Sequence, residues 1–273
     1  MKRLFSLLSF LFVFGIAFSQ TSASGNLNIV ASGGDSKGST WNVISGTIVS
    51  LSSSDANINV SEVDALLVSG DLVLLTDGYI NISTDLSWSS DSVLTLKSAG
   101  NIFFGGEISA TNDNAGLKIF YGGSDDSTAP SNNFDYVFNL ANDASVKLTG
   151  SNATLTIGNE EYIILNSIDD LSLITDSDAA RLALGQDIDI QSNTYNSAVV
   201  SVVFKGVFEG LGNEIQNMTI RNSGGSQLNL GFFSEIRGAV VRNLGITDLD
   251  IFTSSTSSST EYRIGGVVGN IGQ

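Results

Sequence analysis

The chain has 273 residues, with 28 acidic against 12 basic side chains and a formal net charge of −16. A surface of this sign repels phosphate backbones, which excludes nucleic acid as an expected partner. Cysteine and histidine are both absent, which excludes disulfide bonds, thiolate metal sites and catalysis by an imidazole base.

Residues 1–19 have the pattern of an export signal. Lys2 and Arg3 give a positive start, 4–18 form an apolar stretch, and small residues precede an expected cut before Gln20. The apolar stretch is shorter than the about 20 residues that a membrane-spanning helix needs. No later segment is long and apolar enough to cross a membrane, so we expect a secreted protein with no membrane span once the signal is removed.

A repeat of 22 residues follows in the first half of the mature chain. Segment 72–82 aligns with 94–104, and their apolar residues fall at matching places. Gly78 and Gly100 also coincide, where the chain must turn. Segment 117–120 begins what reads as the next copy. Short alternating segments repeated at this period are typical of a solenoid.

The alternation within one copy is strict. Leu94 and Leu96 are expected to point inward, and Thr95 and Lys97 outward. This pattern predicts strands with one face in the core and one in water. Stacked copies then place each strand beside its counterpart, parallel and about 4.8 Å away. The sequence therefore predicts an all-β parallel solenoid.

The middle of the chain interrupts the repeat. Residues 122–133 are rich in Gly, Ser, Asp and Asn and contain the sole proline, Pro130, which indicates a loop. Strand-like alternation resumes over 146–157. We then predict one short helix near 168–175, with Ser167 as its cap and acidic residues in its first turn. Its apolar face is formed by Ile168, Leu171 and Ile174.

A short sequence motif near the C-terminus occurs three times, at 206–211, 231–236 and 266–271. The first two copies are followed by related Asn-containing segments at 215–220 and 241–246. Read this way, Gly206 aligns with Gly231 at a distance of 25 residues, and Asn217 aligns with Asn243 at 26. The same alignment pairs Met218 with Leu244 and Ile220 with Ile246, all pointing into the core.

The third copy lacks the Asn-x-x-Ile strand that should complete it. We therefore expect that the chain is truncated at its C-terminus and that further repeats of the full-length protein follow Gln273. The polar stretch 253–260 lengthens the connection before this copy and predicts an external loop.

Two stretches resemble known exported proteins. Segments 183–189, 208–215, 217–220 and 265–269 carry a resemblance of residues 162–273 to the GLUG-motif repeats of large exported bacterial proteins. Residues 71–123 are similar to the filamentous-haemagglutinin-type β-helix.

The resemblance implies a right-handed parallel β-helix on a secreted or bacterial cell-surface protein that serves adhesion or biofilm formation. It divides the mature chain into haemagglutinin-like coils over 20–160 and GLUG-type coils over 161–273. The chain departs from the pattern in two respects. Its only proline is Pro130, so the Asn-Pro motifs of two-partner secretion are missing, and it has no recognisable C-terminal anchor.

The acidic pairs are the first candidates for chemistry. Asp169-Asp170 is an adjacent pair, whereas glycan hydrolysis needs two carboxylates facing one sugar bond at a set separation. We interpret the pair as serving the helix start. Three further pairs offer oxygen ligands for a surface calcium ion, which stays open as an alternative although none has EF-hand spacing. These are Asp125 with Asp126, Asp176 with Asp178, and Asp187 with Asp189.

Asn217 and Asn243 are interpreted as structural residues. Asparagine tolerates left-handed backbone at turns, and stacked asparagines can form a hydrogen-bonded ladder. Phe208, Phe232 and Phe233 are likewise expected in the core. The sequence thus predicts no catalytic, cofactor-binding or metal-binding residue.

The preferred hypothesis is a non-enzymatic adhesin segment that acts as a rigid stalk or binding scaffold. Its loops or lateral faces would contact a glycan or another cell-surface component. The alternative is a β-helix enzyme that degrades polysaccharide as a lyase or hydrolase, because carboxylate or Lys/Arg mechanisms do not need histidine. A scaffold without a specific ligand is a third option.

Overall fold

The structure is a computed structural model. It describes residues 25–51, 53–123, 134–177, 179–190, 193–223, 229–254 and 261–272. The export signal, most of the loop predicted at 122–133, Asp125 with Asp126, Asp178 and most of the polar stretch 253–260 lie outside the described residues.

The first half of the chain, residues 25–157, consists of short strands and one α-helix. Its strands are β1 (Leu27–Val30), β2 (Trp41–Ile44), β3 (Thr47–Ser50), β4 (Ala56–Asn59), β5 (Leu72–Thr76), β6 (Ile80–Ile82), β7 (Leu86–Trp88), β8 (Val93–Ser98), β9 (Ile102–Phe104), β10 (Ile108–Ala110), β11 (Gly116–Phe120), β12 (Tyr136–Phe138), β13 (Val146–Leu148) and β14 (Thr154–Ile157). Helix α1 spans Val60–Ser69, and a 3₁₀ helix spans Leu140–Asn142.

Among the described residues of the second half, 160–272, the regular structure consists of short strands and one 3₁₀ helix. The strands are β15 (Glu160–Leu165), β16 (Arg181–Leu184), β17 (Ile188–Asp189), β18 (Thr194–Tyr195), β19 (Val200–Phe204), β20 (Val207–Glu209), β21 (Glu214–Gln216), β22 (Thr219–Asn222), β23 (Asn229–Leu230), β24 (Phe233–Arg237), β25 (Val240–Arg242), β26 (Gly245–Thr247), β27 (Asp250–Thr253), β28 (Arg263–Ile264) and β29 (Val268–Gly272). A 3₁₀ helix spans Asp169–Leu173. The fold is therefore all-β, as predicted.

The 22-residue repeat of the first half is confirmed as strand pairing. Leu72 is the parallel partner of Leu94, and Ile80 is the partner of Ile102. Strand β11 continues the ladder beside β8. Leu94 and Leu96 are fully buried, and their neighbours along the strand are only partly buried. The alternation thus sorts apolar side chains into the core and polar ones to the outside.

One ten-stranded sheet runs through both halves in the order β2-β3-β5-β8-β11-β14-β15-β16-β20-β25. Its strands are parallel from β3 to β14 and again from β15 to β25. Between these blocks β14 and β15 form an antiparallel hairpin, with Gly158 at φ 62°. Strand direction therefore reverses once in the middle of a continuous sheet.

Helix α1 is a feature that the sequence analysis missed. The Asn59 side chain accepts a hydrogen bond of 2.9 Å from the Ser61 amide and so caps its start. The helix buries Val63 and Leu67 against the first core. The single helix predicted near 168–175 is found only as the 3₁₀ turn Asp169–Leu173.

The register of the second half corrects the predicted repeat. Ile215 pairs with Ile246 and Ile220 with Ile251, so Ile220 does not pair with Ile246. Gly206 and Gly231 likewise belong to different sheets, because Val207 pairs with Val240 and Phe233 pairs with Val268. The second and third copies of the motif, 231–236 and 266–271, do lie side by side in the predicted alignment, since the Phe232 amide donates to the Gly266 carbonyl at 3.0 Å.

A buried polar network joins the two halves. Glu209 at the end of β20 is 0% exposed and accepts a hydrogen bond from the Tyr136 hydroxyl at 2.5 Å and from the Arg242 Nε at 2.8 Å. Its other oxygen accepts from the Leu211 amide and the Asn243 side chain, each at 2.9 Å. Four donors thus compensate this carboxylate for its removal from water.

Burial declines toward the end of the second half. Among the described residues from 235 to 272, none is fully buried. Phe252, Ile264 and Ile271 are exposed by 57%, 54% and 74%. Apolar side chains of the last strands therefore face solvent in this part of the molecule.

Candidate functional site

The strongest candidate site lies on the outer face of the five-stranded sheet β12-β9-β6-β1-β4. Inward residues of these strands, such as Ile80 and Ile102, fill the core. The residues between them form a lateral row on the outside, in which Phe103 is paired with Asn81 on one side and Val137 on the other. The row continues across β1 and β4 through Asn28 and Asn57.

A groove of about 970 Å³ lies over three of these strands, β6, β9 and β12. The Tyr79 and Phe103 rings meet edge to face on its surface, with centroids 5.7 Å apart and planes at 84°. Phe134 and Val137 line it as well and remain 40% and 45% exposed. Large apolar side chains left in water at one place mark a binding surface more strongly than scattered ones do.

Two glycines among the groove residues allow close packing of successive chain segments. A Cβ atom at Gly100 would come within 3.0 Å of the Gly78 carbonyl oxygen, and one at Gly105 within 3.1 Å of the Ile82 carbonyl oxygen. Successive chain segments therefore approach closely at these turns.

Asparagine side chains supply the polar part of the groove. The Asn101 oxygen accepts from the Asp135 amide at 2.9 Å, and the Asn139 oxygen accepts from the Ala141 amide at 3.2 Å. These bonds fix the two side chains and leave their NH₂ groups as donors. Within the described part of the chain, the Asn81 amide makes no side-chain hydrogen bond. The groove thus offers oriented donors beside apolar rings.

Asp77 is the one charged side chain among the described residues that line the groove. No Lys or Arg joins it there. The arrangement suits recognition of a ligand with an apolar face and a hydroxylated edge, because the rings cover the first and the amides pair with the second. Within this set, no nucleophile–base pair is present, so the geometry favours binding over covalent chemistry.

A smaller cleft of about 360 Å³ lies where the two halves meet. Glu107, Asp143, Asp187 and Glu214 line it together with Lys147. The Lys147 Nζ is 2.6 Å from Glu107, and this hydrogen bond raises the pKa of the lysine. A lysine that holds its proton more tightly is less suited to act as a base.

Among the described members of the acidic pairs, Asp187 lines the smaller cleft, and Asp169, Asp170, Asp176 and Asp189 line neither cavity. Asp170 accepts from the Asn166 and Ser167 amides at 2.9 Å each and so serves the turn. The cap position is occupied by Ile168, which makes no side-chain capping bond, but the predicted capping contact is present one residue earlier, because the Ser167 hydroxyl accepts from the Asp170 amide at 3.4 Å.

Asp187 and Asp189 share the solvent face of their segment, as predicted. Asp187 accepts from the Glu214 amide and Asp189 from the Asn217 side chain, both at 2.9 Å. Asp176 lies exposed after the 3₁₀ turn. In the part of the chain that the structure describes, no three acidic side chains converge as a metal-binding group.

Asn217 and Asn243 both adopt the left-handed backbone, with φ of 58° and 53°, which confirms their structural interpretation. The predicted ladder between them is wrong. Asn217 donates to Asp189, whereas Asn243 donates to Glu209 at 2.9 Å. Phe208, Phe232 and Phe233 are completely buried, as predicted.

The groove residues themselves were missed in the sequence. The 22-residue repeat contained the signal, since it places Asn81 and Phe103 at equivalent outward positions beside Tyr79 and Asn101. No outward residue of segments 80–82 and 102–104 was predicted to take part in a site. Val137 joins the same row 34 residues after Phe103, across a gap that breaks the period and hides the relationship.

No family model, curated protein or solved structure matches this chain. The resemblance of residues 162–273 to GLUG-motif repeats and of 71–123 to haemagglutinin-type coils therefore stays a prediction. Within the described residues, the helices are too short and too polar to cross a membrane.

Proposed function

We propose that the chain is an exported segment built as two stacks of parallel β-helical coils. The in-register parallel pairing of β5, β8 and β11, and of β16, β20 and β25, supports this architecture. Strand direction reverses at the β14–β15 hairpin while the sheet continues. In this proposal both stacks have the right-handed winding that the resemblance implies, because the reversal of strand direction is accompanied by a change of face: on β16, Ala183 packs in the first core, and its neighbours Leu182 and Leu184 pack in the second.

Its function in this proposal is adhesion at a bacterial cell surface or in a biofilm matrix, with no enzymatic step. The groove beside Tyr79 and Phe103 binds a glycan through ring stacking and amide hydrogen bonds. The observation that carries the proposal is the row of solvent-facing aromatic and asparagine side chains on a lateral face. Pyranose rings present an apolar C–H face and a rim of hydroxyls, which match these two kinds of group.

The rest of the molecule serves as a rigid support. The ten-stranded sheet is continuous through both halves, and the Tyr136–Glu209–Arg242 network fastens them. Such a scaffold presents the groove sideways without needing a hinge. No cofactor takes part in the proposed function.

Binding of purified protein to a panel of soluble oligosaccharides, followed by calorimetry, tests the proposal. We expect saturable binding without turnover, and a loss of at least about tenfold in affinity in Phe103→Ala because a stacking ring is removed. Phe252→Ala is the matched control, since Phe252 is also an exposed aromatic on a strand but lies in the second half. Equal loss in both variants, or no binding at all, contradicts the proposal.

The acidic cleft supports the alternative of a polysaccharide-degrading enzyme. Four carboxylates line it, and paired carboxylates are what glycoside hydrolysis uses. New reducing ends or unsaturated products from a polysaccharide panel, abolished in Glu214→Gln, would establish this function. Retention of intact polymer by the wild-type protein leaves the adhesin proposal in place.

A further inference from the structure

We infer that the groove selects uncharged glycans, of neutral hexoses or N-acetylated amino sugars, and rejects glycans that carry carboxylate or sulfate groups. The inference rests on the proposed function and names its substrate class. It follows from the charge of the groove, from the kind of hydrogen-bonding groups in it and from its extent across the sheet.

The charge of the groove is the first argument. Asp77 is its one charged lining residue among those described, and the whole chain carries a formal charge of −16. An anionic sugar placed over Phe103 would meet a carboxylate and no cation. Recognition of sugar carboxylates or sulfates relies on Arg or Lys, which pair with the anion directly.

Among the described residues, no Lys or Arg lines the groove, and Arg242, which contacts Asp135 next to the lining residue Phe134, is already engaged elsewhere. Arg242 donates to Glu209, lies with its guanidinium 4.5 Å from the Tyr136 ring centroid and has Asp135 at 3.6 Å. Its charge is thus balanced by two carboxylates and is not directed into the groove. An anion bound there would find no partner for its charge.

The polar side chains of the groove are neutral apart from Asp77, and they are asparagine amides and the Tyr79 hydroxyl. Asn101 and Asn139 use their oxygens on backbone amides and keep NH₂ donors, and Asn81 offers both a donor and an acceptor. Hydroxyl and acetamido oxygens accept from such donors without a net charge on either side. Carboxylates prefer charged donors, which form the shorter and stronger bonds.

The extent of the groove sets the size of the ligand. It covers β6, β9 and β12, three neighbouring strands, which span about 10 Å at the usual interstrand spacing. The row Asn81–Phe103–Val137 runs across the strands. A short oligosaccharide lying along this row therefore crosses the strands and contacts one side chain from each.

The experiment compares neutral and uronate oligosaccharides of equal length by calorimetry with the full chain. We expect the neutral sugars to bind with an affinity that does not depend on salt. Uronates should bind about tenfold more weakly at low salt, where the Debye length reaches about 30 Å, and the difference should shrink at high salt. Asp77→Asn should raise the affinity for uronates severalfold relative to that for neutral sugars, whereas Asp91→Asn, which removes an equal charge outside the groove, should leave this ratio unchanged.

The other outcomes distinguish failure of the inference about glycan charge from failure of the proposed glycan binding. Uronates that bind as tightly as neutral sugars, or an Asp77→Asn variant that discriminates as before, overturn the inference while glycan binding stands. If no sugar of either class binds, both fall. A concentration-dependent dimer abolished by Phe103→Ala would assign the groove to a second copy of the chain and also overturn the inference.

Discussion

The Tyr136 hydroxyl donates a hydrogen bond of 2.5 Å to the Glu209 carboxylate, across 73 residues of sequence. Tyr136 belongs to the first half and Glu209 to the second, and both are almost completely buried. Arg242 donates to both oxygen atoms of this contact. The junction between the halves is therefore ionic at its centre, although apolar packing surrounds it.

Removal of the buried carboxylate should be costly. In Glu209→Gln the Arg242 guanidinium loses its closest counter-charge, and we expect the free energy of unfolding to fall by about 3 kcal/mol in urea titrations. Asp250→Asn is the control, because the Arg221–Asp250 pair is exposed and exposed pairs contribute little to stability in water. Equal effects in the two variants would show that the junction is not held by this network.

The junction also predicts a loss of stability at alkaline pH. Burial, together with the Glu209 charge, raises the pKa of Tyr136 above its ordinary value of 10.0. The folded state then holds a proton that the unfolded state releases, so stability is complete below pH 10 and declines as the pH rises further. Burial also raises the pKa of Tyr162 and Tyr195.

In Tyr136→Phe, the free energy of unfolding should therefore fall less steeply above pH 10, by about 1.4 kcal/mol per pH unit. The part of the decline that comes from other tyrosines should remain. Urea unfolding at a series of pH values measures the slope, with each variant normalised to its own stability at neutral pH. An unchanged slope in Tyr136→Phe would mean that this phenol ionises in the folded state as it does in the unfolded one.

The β2–β3 hairpin offers a stabilising substitution. Ile44 pairs with Thr47, and the two residues between them, Ser45 and Gly46, have φ of 50° and 76°. This turn favours Asn-Gly, so Ser45→Asn should raise the free energy of unfolding by about 0.5 kcal/mol. Gly46→Ala should instead lower the free energy of unfolding. Thermal unfolding of the two variants checks the pair, and stabilisation by both would refute the turn assignment.

Close backbone approach should make Gly150 intolerant of a side chain. A Cβ atom there would lie 2.1 Å from the Asn112 carbonyl oxygen, so the chain must shift, at a cost of about 3 kcal/mol in Gly150→Ala. Gly33 has a φ of +77° but open space around it, and Gly33→Ala should cost only about 1 kcal/mol. Urea titration decides the order, and a reversed order would contradict the close contact at Gly150.

Calcium should add no stability. The carboxylates of Asp187 and Asp189 already accept hydrogen bonds from the protein, so an ion would have to compete with these donors. We expect equal melting temperatures in excess calcium and in chelator. A rise of several degrees with calcium, abolished by Asp187→Asn, would instead establish a surface site.

The sequence predicted the first half well because its signals are local and consistent. Apolar alternation and a glycine at each turn both repeat from 72–82 to 94–104, and the resulting inward pattern agrees with the register. Helix α1 was missed because its apolar residues include the β-branched Val60, Val63 and Val68, which also suit a strand. Its stability comes from the Asn59 cap and from the burial of Val63 and Leu67.

The register of the second half escaped prediction for a geometric reason. Left-handed residues stand at two corners in each of the paired segments. Leu211 and Asn243 occupy the first corner, and Asn217 and Asp248 the second. The alignment of Asn217 with Asn243 in the sequence therefore paired a residue of the second corner with a residue of the first. The outward groove was missed for a related reason, since the side chains that form it contribute nothing to the core pattern.

The groove has a mechanical consequence. It is built on β6, β9 and β12, which are hydrogen-bonded side by side and come from three separate passes of the chain. When a molecule held across these strands is pulled in the direction of the strands, the force acts on all three strands at once. The ladder bonds between the strands then carry this force together in shear. Detachment of one strand at a time, which needs far less force, is avoided.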